Sequence, residues 1–294
     1  MGTLAEMLST PLGVIEWFVY LLAAVMFVIG LHLMNSPKTA RKGNMVSAIG
    51  MVFAVAMAFI VLFAGEASNG FKHGVAVIVL IVGIVIGAVA GVVSAKKVKM
   101  TDMPQLVSVF NTVGGGAAAL VALNDILTSA ETPSIVVLIT AGLGIMIGSV
   151  TFSGSLIAAG KLQGIKWVKK LSLPGKGFWN ILFVVLTIVS FVMLCVQPNQ
   201  RLLWSILTTV FALCYGLVFV IPIGGADMPV VISVLNACTG TAVAMSGLAI
   251  NNIALIVAGA LVGAAGVTLS IAMSKAMNRP LLSVLAGGFG GSNS

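Results

Sequence analysis

Two segments of the chain carry hydroxyl and amide side chains at helical spacing. Side chains three, four and seven residues apart share one face of an α-helix. The residues are Ser108, Asn111 and Gly115 in the first segment and Ser233, Asn236 and Gly240 in the second, with Thr112 and Thr239 close by. Such a face could hold bound waters that relay a proton, or it could form hydrogen bonds between closely packed membrane helices. Both interpretations stay open at the level of sequence.

Two carboxylates precede these segments. Asp102 and Asp227 each stand directly before Met-Pro, where an aspartate could cap the helix that follows. They could instead place a charge at the mouth of a conduction path or at a docking site. Three lysines precede Asp102, which favours capping there, whereas the segment 223–226 before Asp227 has no basic residue. Because an unpaired carboxylate at a membrane boundary is costly, a functional role is favoured for Asp227.

The composition indicates what kind of element positions these residues. Of the 294 residues, 60% are hydrophobic and 7% are charged, against about a quarter charged in a soluble protein. A chain of this length has no core large enough to hide so much apolar surface, so the bilayer must be its solvent. The apolar runs are continuous and about 20 residues long, which predicts helices rather than a barrel. The predicted fold class is therefore all-α, a polytopic membrane helix bundle.

Hydropathy predicts about nine transmembrane helices, and the basic residues predict their orientation. The predicted spans are 14–34, 45–65, 74–94, 103–123, 135–159, 178–197, 202–222, 228–250 and 253–274. Thirteen of the 15 basic residues fall on one side of these spans, and only Lys72 and Arg201 fall on the other. The basic side is predicted to be cytoplasmic, with the carboxyl terminus inside. This asymmetry accounts for the net charge of +8 without a nucleic-acid partner.

The chain also repeats itself. Segments 102–119 and 227–244 are identical at nine of 18 positions, at an offset of 125 residues. Further on, Gly144, Gly148 and Ser155 match the spacing of Gly259, Gly263 and Ser270. These matches predict a parallel internal repeat, with units of about 74–160 and 202–274. Glycines at every fourth position, including 83, 87 and 91, are predicted to form helix-packing grooves.

Four longer motifs together resemble one known family. They are the segments 95–104, 148–155, 224–236 and 275–290, which include Lys-Met-Thr-Asp-Met-Pro, Gly-Gly-Ala-Asp-Met-Pro and Lys-Ala-Met-Asn-Arg. They resemble the beta subunit of the proton-translocating NAD(P) transhydrogenase. The resemblance extends from about residue 20 to residue 290, and that family's beta subunit also has nine spans.

The resemblance implies a function and roles for particular residues. It implies hydride transfer from NADH to NADP⁺, driven by proton entry through this membrane domain. It places Asn236 in the proton path. The other candidates for that path are the remaining polar residues of the two faces described above, Asn111, Ser108, Ser233, Thr112 and Thr239. It places Asp227, with Asp102 as its counterpart, in coupling to an NADP(H)-binding domain, and it places Lys275 and Arg279 in the hinge to that domain. Residues 1–274 would form the transmembrane domain and residues 275–294 the hinge.

Two departures from the family pattern qualify these expectations. Some members carry a proton-relay histidine where this chain has Asn111, so waters or a partner's histidine would have to serve. The sequence given stops at residue 294, within the hinge, so no nucleotide site is expected in this chain. No catalytic residue or metal site is expected either, because the sequence contains no catalytic triad and no metal-ligand cluster. NADP(H) and NAD(H) would be bound by the complete enzyme.

The resemblance also implies partners and a location. The expected partners are an alpha subunit with an NAD-binding domain and further transmembrane helices, the NADP(H)-binding domain, and a second copy of the complex. The expected location is the bacterial inner membrane. The alternative functions are a self-contained secondary transporter for protons or a small solute, and a purely structural membrane subunit.

Overall fold

The structure, a computed structural model, describes residues 10–64, 70–129, 132–166, 168 and 175–286. Contacts divide the chain into a first unit, residues 1–102, and a second unit, residues 103–294. The helices are α1 (Pro11–Met34), α2 (Ala40–Ala64), α3 (Gly70–Lys97), α4 (Met103–Thr128), α5 (Ile135–Leu162), α6 (Lys176–Val196), α7 (Arg201–Val220), α8 (Met228–Ala249), α9 (Ile253–Ala276) and α10 (Leu281–Ala286).

The predicted fold class is confirmed. Within the described residues there is no β-strand, and nine helices are long and apolar enough to cross a membrane. Several of them extend beyond the predicted spans: α2 begins at Ala40 rather than residue 45, and α4 ends at Thr128 rather than residue 123. Hydropathy reports only the apolar stretch, whereas backbone hydrogen bonding continues through polar residues at the membrane surface.

The first unit contains one close helix pair. It is formed by α1 and α2, whose backbones lie so close that a side chain would not fit between them. A Cβ atom added to Gly43 of α2 would lie 2.5 Å from the backbone oxygen of Gly30 of α1. Helix α3 exposes nearly all of its described side chains. A Cβ added to Gly83, Gly87 or Gly91 would meet nothing within 4 Å. Within the described part of the chain, these three glycines therefore lie at no helix crossing, and the predicted packing groove stays a prediction.

The second unit is built around α5, which contacts α4, α6, α7 and α8, while α8 also packs closely against α9. Glycines lie at two close crossings, α4 with α5 and α8 with α9. A Cβ added to Gly148 would lie 2.7 Å from the backbone oxygen of Gly115, and one added to Gly259 would lie 2.6 Å from that of Gly240. These backbones approach closely because neither side of the crossing carries a side chain, as is common in membrane bundles.

The two glycine crossings fix a contact register between the helix pairs. Gly148 of α5 packs against Gly115, and Gly259 of α9 packs against Gly240, the residue 125 positions after Gly115. By their contacts, Gly148 in the first helix pair and Gly259 in the second are therefore equivalent, which corresponds to an offset of 111 residues between α5 and α9. The spacing match in the sequence equated Gly144 with Gly259, which is four residues, or about one helical turn, away from the contact register.

The chain turns sharply after α9. Asn278 adopts the left-handed conformation with φ 52°. Its N–H bonds to the carbonyl of Lys275, and the N–H of Arg279 bonds to the carbonyl of Ser274. This is the Schellman pattern of helix termination, in which asparagine replaces the usual glycine. Helix α10 then places Val284 in the buried cluster beside Met228 and Val231. The hinge expected at 275–294 is thus packed against the bundle up to α10, and residues 287–294 lie outside the described residues.

Candidate functional site

A buried polar cluster joins α4 to α5. The Ser108 hydroxyl donates to the backbone oxygen of Ser155 at 2.8 Å, and Asn111 Nδ2 donates to Ser155 Oγ at 2.8 Å. Thr112 lies beside them, and its hydroxyl donates to the backbone oxygen of Ser108 at 3.0 Å. Ser108, Asn111, Thr112 and Ser155 are all buried. The structure therefore brings three of the predicted proton-path residues together around Ser155.

One end of the Asn111 amide has no protein partner. Its Oδ1 is buried and accepts no hydrogen bond from a described residue. If the Asn111 amide were flipped, its oxygen would accept from the Ser155 hydroxyl, and its nitrogen would then be the atom without a partner. A buried polar atom without a partner costs about 1–3 kcal/mol, so this arrangement is not what packing alone would favour.

The second polar face has a different environment. The Ser233 hydroxyl donates to the backbone oxygen of Gly266 at 3.1 Å, as Ser108 does to Ser155. Position 266 corresponds to position 155 in the contact register, but it carries no hydroxyl. A Cβ added to Gly266 would lie 2.7 Å from the backbone nitrogen of Ala237, so α8 leaves no room for a side chain there. Asn236 consequently lacks the partner that Asn111 has.

Asn236 instead lines a groove between α4, α8 and α9. It is half-buried and forms no hydrogen bond with a described residue. The groove has a volume of about 270 Å³, and Asn236 and Ser233 are polar residues in its otherwise apolar wall. Met103 and Val107 of α4 face them across the groove, and Leu269 and Met273 of α9 complete the wall. The second amide is therefore open to a small molecule such as water.

Thr239 adds another buried polar atom between α4 and α8. Its methyl group would lie 3.4 Å from a Cβ added to Gly114 of α4. Its hydroxyl is buried and has no hydrogen-bond partner among the described residues, unlike the hydroxyl of Thr112. Two of the six predicted proton-path residues, Asn111 and Thr239, thus each leave one buried polar atom unpaired.

Asp227 does not behave as the sequence predicts. It was expected to be unpaired, but both of its carboxylate oxygens lie 2.7 Å from the same guanidinium nitrogen of Arg279. The capping interpretation is also wrong for this residue, because its side chain accepts no hydrogen bond from α8. Arg279 is 52 positions away in the sequence, and only the Schellman turn after α9 brings it here. The sequence near Asp227 therefore gives no sign of this partner.

The other two predicted coupling residues are exposed. Lys275 points its side chain to the surface at the end of α9 and forms no salt bridge with a described residue. Asp102 belongs to the first unit, where its carboxylate accepts from the Thr101 hydroxyl at 3.4 Å. It forms no salt bridge with the neighbouring lysines. Of the four predicted coupling residues, the structure brings together Asp227 and Arg279.

Two residues of the site have no assigned role in the sequence-based prediction. Ser155 accepts from both Ser108 and Asn111, and its signals in the sequence are its place in the repeat match and in the motif 148–155. Lys161, one of the basic residues that set the predicted orientation, donates to the backbone oxygens of Val220, Ile221 and Ile223. In the part of the chain that is described, no group of three His, Cys, Asp or Glu side chains could hold a metal ion.

Comparison with known proteins gives consistent matches. The family model of the NAD(P) transhydrogenase beta subunit matches residues 16–294. Two curated relatives, both NAD(P) transhydrogenase subunit beta from Rhodospirillum rubrum, are 39% identical to this chain over 278 residues. The matched region covers 92% of this chain and 57% of each relative. The chain therefore spans a little more than half the length of these relatives.

Proposed function

Because this chain belongs to the NAD(P) transhydrogenase beta subunit family, we propose that it forms the membrane domain through which proton entry drives hydride transfer from NADH to NADP⁺. The complete enzyme would bind NAD(H) and NADP(H) outside these residues. The chain would assemble with an alpha subunit, as the name of its relatives implies, and with an NADP(H)-binding domain, in a dimeric complex. It would lie in a bacterial inner membrane with its carboxyl terminus in the cytoplasm.

The observation that carries this proposal is the buried Ser108–Asn111–Ser155 cluster with its unpaired amide oxygen. An amide and a hydroxyl do not carry a proton themselves at neutral pH, but they donate to and accept from water. Buried polar atoms without protein partners are usually satisfied by water, which typically forms about three hydrogen bonds. Asn111 Oδ1 and Thr239 Oγ1 are two such atoms in an apolar bundle. They support a hydrated path along the facing surfaces of α4, α5 and α8.

The ion pair between Asp227 and Arg279 supports the proposal that proton entry is coupled to the NADP(H)-binding domain. Asp227 and Arg279 join the start of α8 to the end of α9, directly before α10. The NADP(H)-binding domain would follow α10 in the chain. A change in the charge or pairing of Asp227 would therefore act on the segment that leads to that domain, and different pairing states would favour different docked positions of it.

The test is Asn111→Leu in the complete enzyme, reconstituted in proteoliposomes. Leucine is similar in size and removes both polar ends of the amide, so the fold should survive. We expect two rates to fall together, that of gradient-dependent hydride transfer and that of proton uptake. The expected decrease is about 5- to 150-fold, which is the usual range of coupling between two sites. Hydride transfer and internal pH would be followed in the same vesicles.

Asn180→Leu is the matched control, because Asn180 is a buried asparagine in α6, outside both polar faces. It should change thermal stability without lowering either coupled hydride transfer or proton uptake. Normal coupled rates in Asn111→Leu would contradict the proposal. Proton uptake by vesicles that contain this chain alone would support a secondary transporter instead.

A further inference from the structure

Lys161 holds the backbone that leads to Asp227. Its ammonium group donates to the backbone oxygen of Ile223 at 2.8 Å and to that of Val220 at 3.2 Å, and it also donates to that of Ile221. An ammonium group has three N–H donors, so all of them are used. The carbonyls at the end of a helix have no partner within the helix. Lys161 of α5 therefore supplies donors from another helix to the end of α7, where the backbone oxygen of Val220 also accepts from the N–H of Ile223.

The segment between Lys161 and Arg279 is short and open. Ile223 is buried, whereas Gly224, Gly225 and Ala226 are exposed. A Cβ added to either glycine would meet nothing within 4 Å. The turn 224–226 is thus held at one end by Lys161, through Ile223, and at the other by Arg279, through Asp227. Within the segment, the N–H of Asp227 donates to the backbone oxygen of Gly224 at 3.1 Å, and residues 225–227 form a single turn of 3-10 helix.

Lys161 also lies on the same helix as the buried polar cluster. It follows Ser155 by six residues, about 9 Å along α5. Ser155 accepts hydrogen bonds from Ser108 and Asn111, so a rearrangement of that contact acts directly on α5. A helix transmits a small shift along its axis, and a tightly packed bundle does not absorb such a shift locally.

We infer that Lys161 is a positioning residue that ties the turn 224–226 to α5, so that a rearrangement at the Asn111–Ser155 contact is passed to Asp227. This inference rests on the proposed function, because it names the connection between the proton path and the coupling residue. A purely structural role, in which Lys161 only completes the end of α7, would affect stability but would leave the ratio of proton uptake to hydride transfer unchanged.

The experiment combines a spin label in the turn with coupled activity. Ala226→Cys carries the label, in a background in which Cys195, Cys214 and Cys238 are replaced by alanine. Lys161→Met keeps the length of the side chain and removes its donors. We expect the label to become more mobile and proton uptake per hydride transferred to fall at least fivefold. Lys161→Arg, which retains N–H donors, should restore both in part.

Lys166→Met is the matched control, since Lys166 is an exposed lysine five residues further along the chain. It should change neither readout. If Lys161→Met fails to assemble, Lys161→Gln replaces it, because its amide can still donate to one carbonyl. An immobile label or an unchanged proton-to-hydride ratio in Lys161→Met, or in Lys161→Gln where that variant replaces it, would overturn the inference. Normal coupling in Asn111→Leu would instead overturn the proposed function. The mobility of the label in the Lys161 variants does not depend on that result, so the two failures are distinguishable.

Discussion

The ion pair between Asp227 and Arg279 illustrates what a single contact contributes at the residue scale. The Arg279 side chain is 48% exposed and that of Asp227 is 13% exposed. Ion pairs at such positions contribute about 0–1 kcal/mol to stability, because water screens them and two side chains lose freedom. The pair is therefore weak as a structural support, and it can be broken without unfolding the protein. A contact of this strength suits a switch between docked states.

Asp227→Asn in the complete enzyme should separate these roles. Asparagine keeps the shape and removes the charge, so the pair with Arg279 is lost. We expect coupled hydride transfer to fall by about 5- to 150-fold, with a thermal midpoint close to that of the unmodified enzyme. Arg279→Gln should have the same effect, because it removes the other half of the pair. The measurement is hydride transfer and proton uptake in proteoliposomes, with thermal melting in detergent.

Asp102→Asn is the internal control for this prediction. Asp102 occupies the matching place before Met-Pro, but its exposed carboxylate has no salt bridge with a described residue. Its loss should leave coupling nearly unchanged. Near-normal coupled rates in the Asp227 and Arg279 variants would mean that the pair has only a structural role.

At the scale of the element, the helices could be predicted from sequence far better than their contacts. The nine apolar runs fix nine spans, because only a helix satisfies the backbone of such a run in lipid. Contacts depend on register, and apolar spacing does not determine register. Ser155 and Ser270 match in the sequence, yet Gly266 is the residue that packs where Ser155 does. Asn111 and Asn236 therefore differ in environment although their segments are identical at nine of 18 positions.

The glycine crossings give a prediction about helix pairs. A side chain at Gly240 would clash with the backbone of α9, where Gly259 O lies 2.7 Å from the added Cβ. Gly240→Val should destabilise the protein by about 1–3 kcal/mol, the usual cost of overpacking. Gly83→Val, also within a membrane helix, should leave stability unchanged because nothing lies within 4 Å. Unfolding of both variants in mixed micelles measures the difference, and equal losses would contradict the role of the crossing.

At the scale of the whole molecule, the solvent explains both the surface and the charge distribution. Large apolar side chains such as Val79, Ile86 and Val113 are exposed along the spans, as a lipid environment requires. The basic residues occupy segments between the spans and the ends of helices, as at Lys96 and Lys97 after α3. Lys161 shows the limit of the sequence-based view. The same residue that sets orientation by its charge also donates to the end of α7, and only the packing of α5 against α7 reveals the second role.

The orientation itself is the last prediction. Thirteen of the 15 basic residues lie on one side of the spans, and the side richer in Lys and Arg stays in the cytoplasm. Reporters inserted at 35–44, 95–102 and 160–176 should therefore be fluorescent as green fluorescent protein fusions and inactive as alkaline phosphatase fusions. Insertions at 197–200, beside Arg201, should show the opposite pattern and serve as the matched control. Because the excess of basic residues is spread over several segments, neutralising one lysine such as Lys166 should not invert the protein. Active phosphatase at 160–176 would place Lys161, Asp227 and Arg279 outside the cell, where no NADP(H)-binding domain could meet them, and the proposed coupling would fail with the orientation.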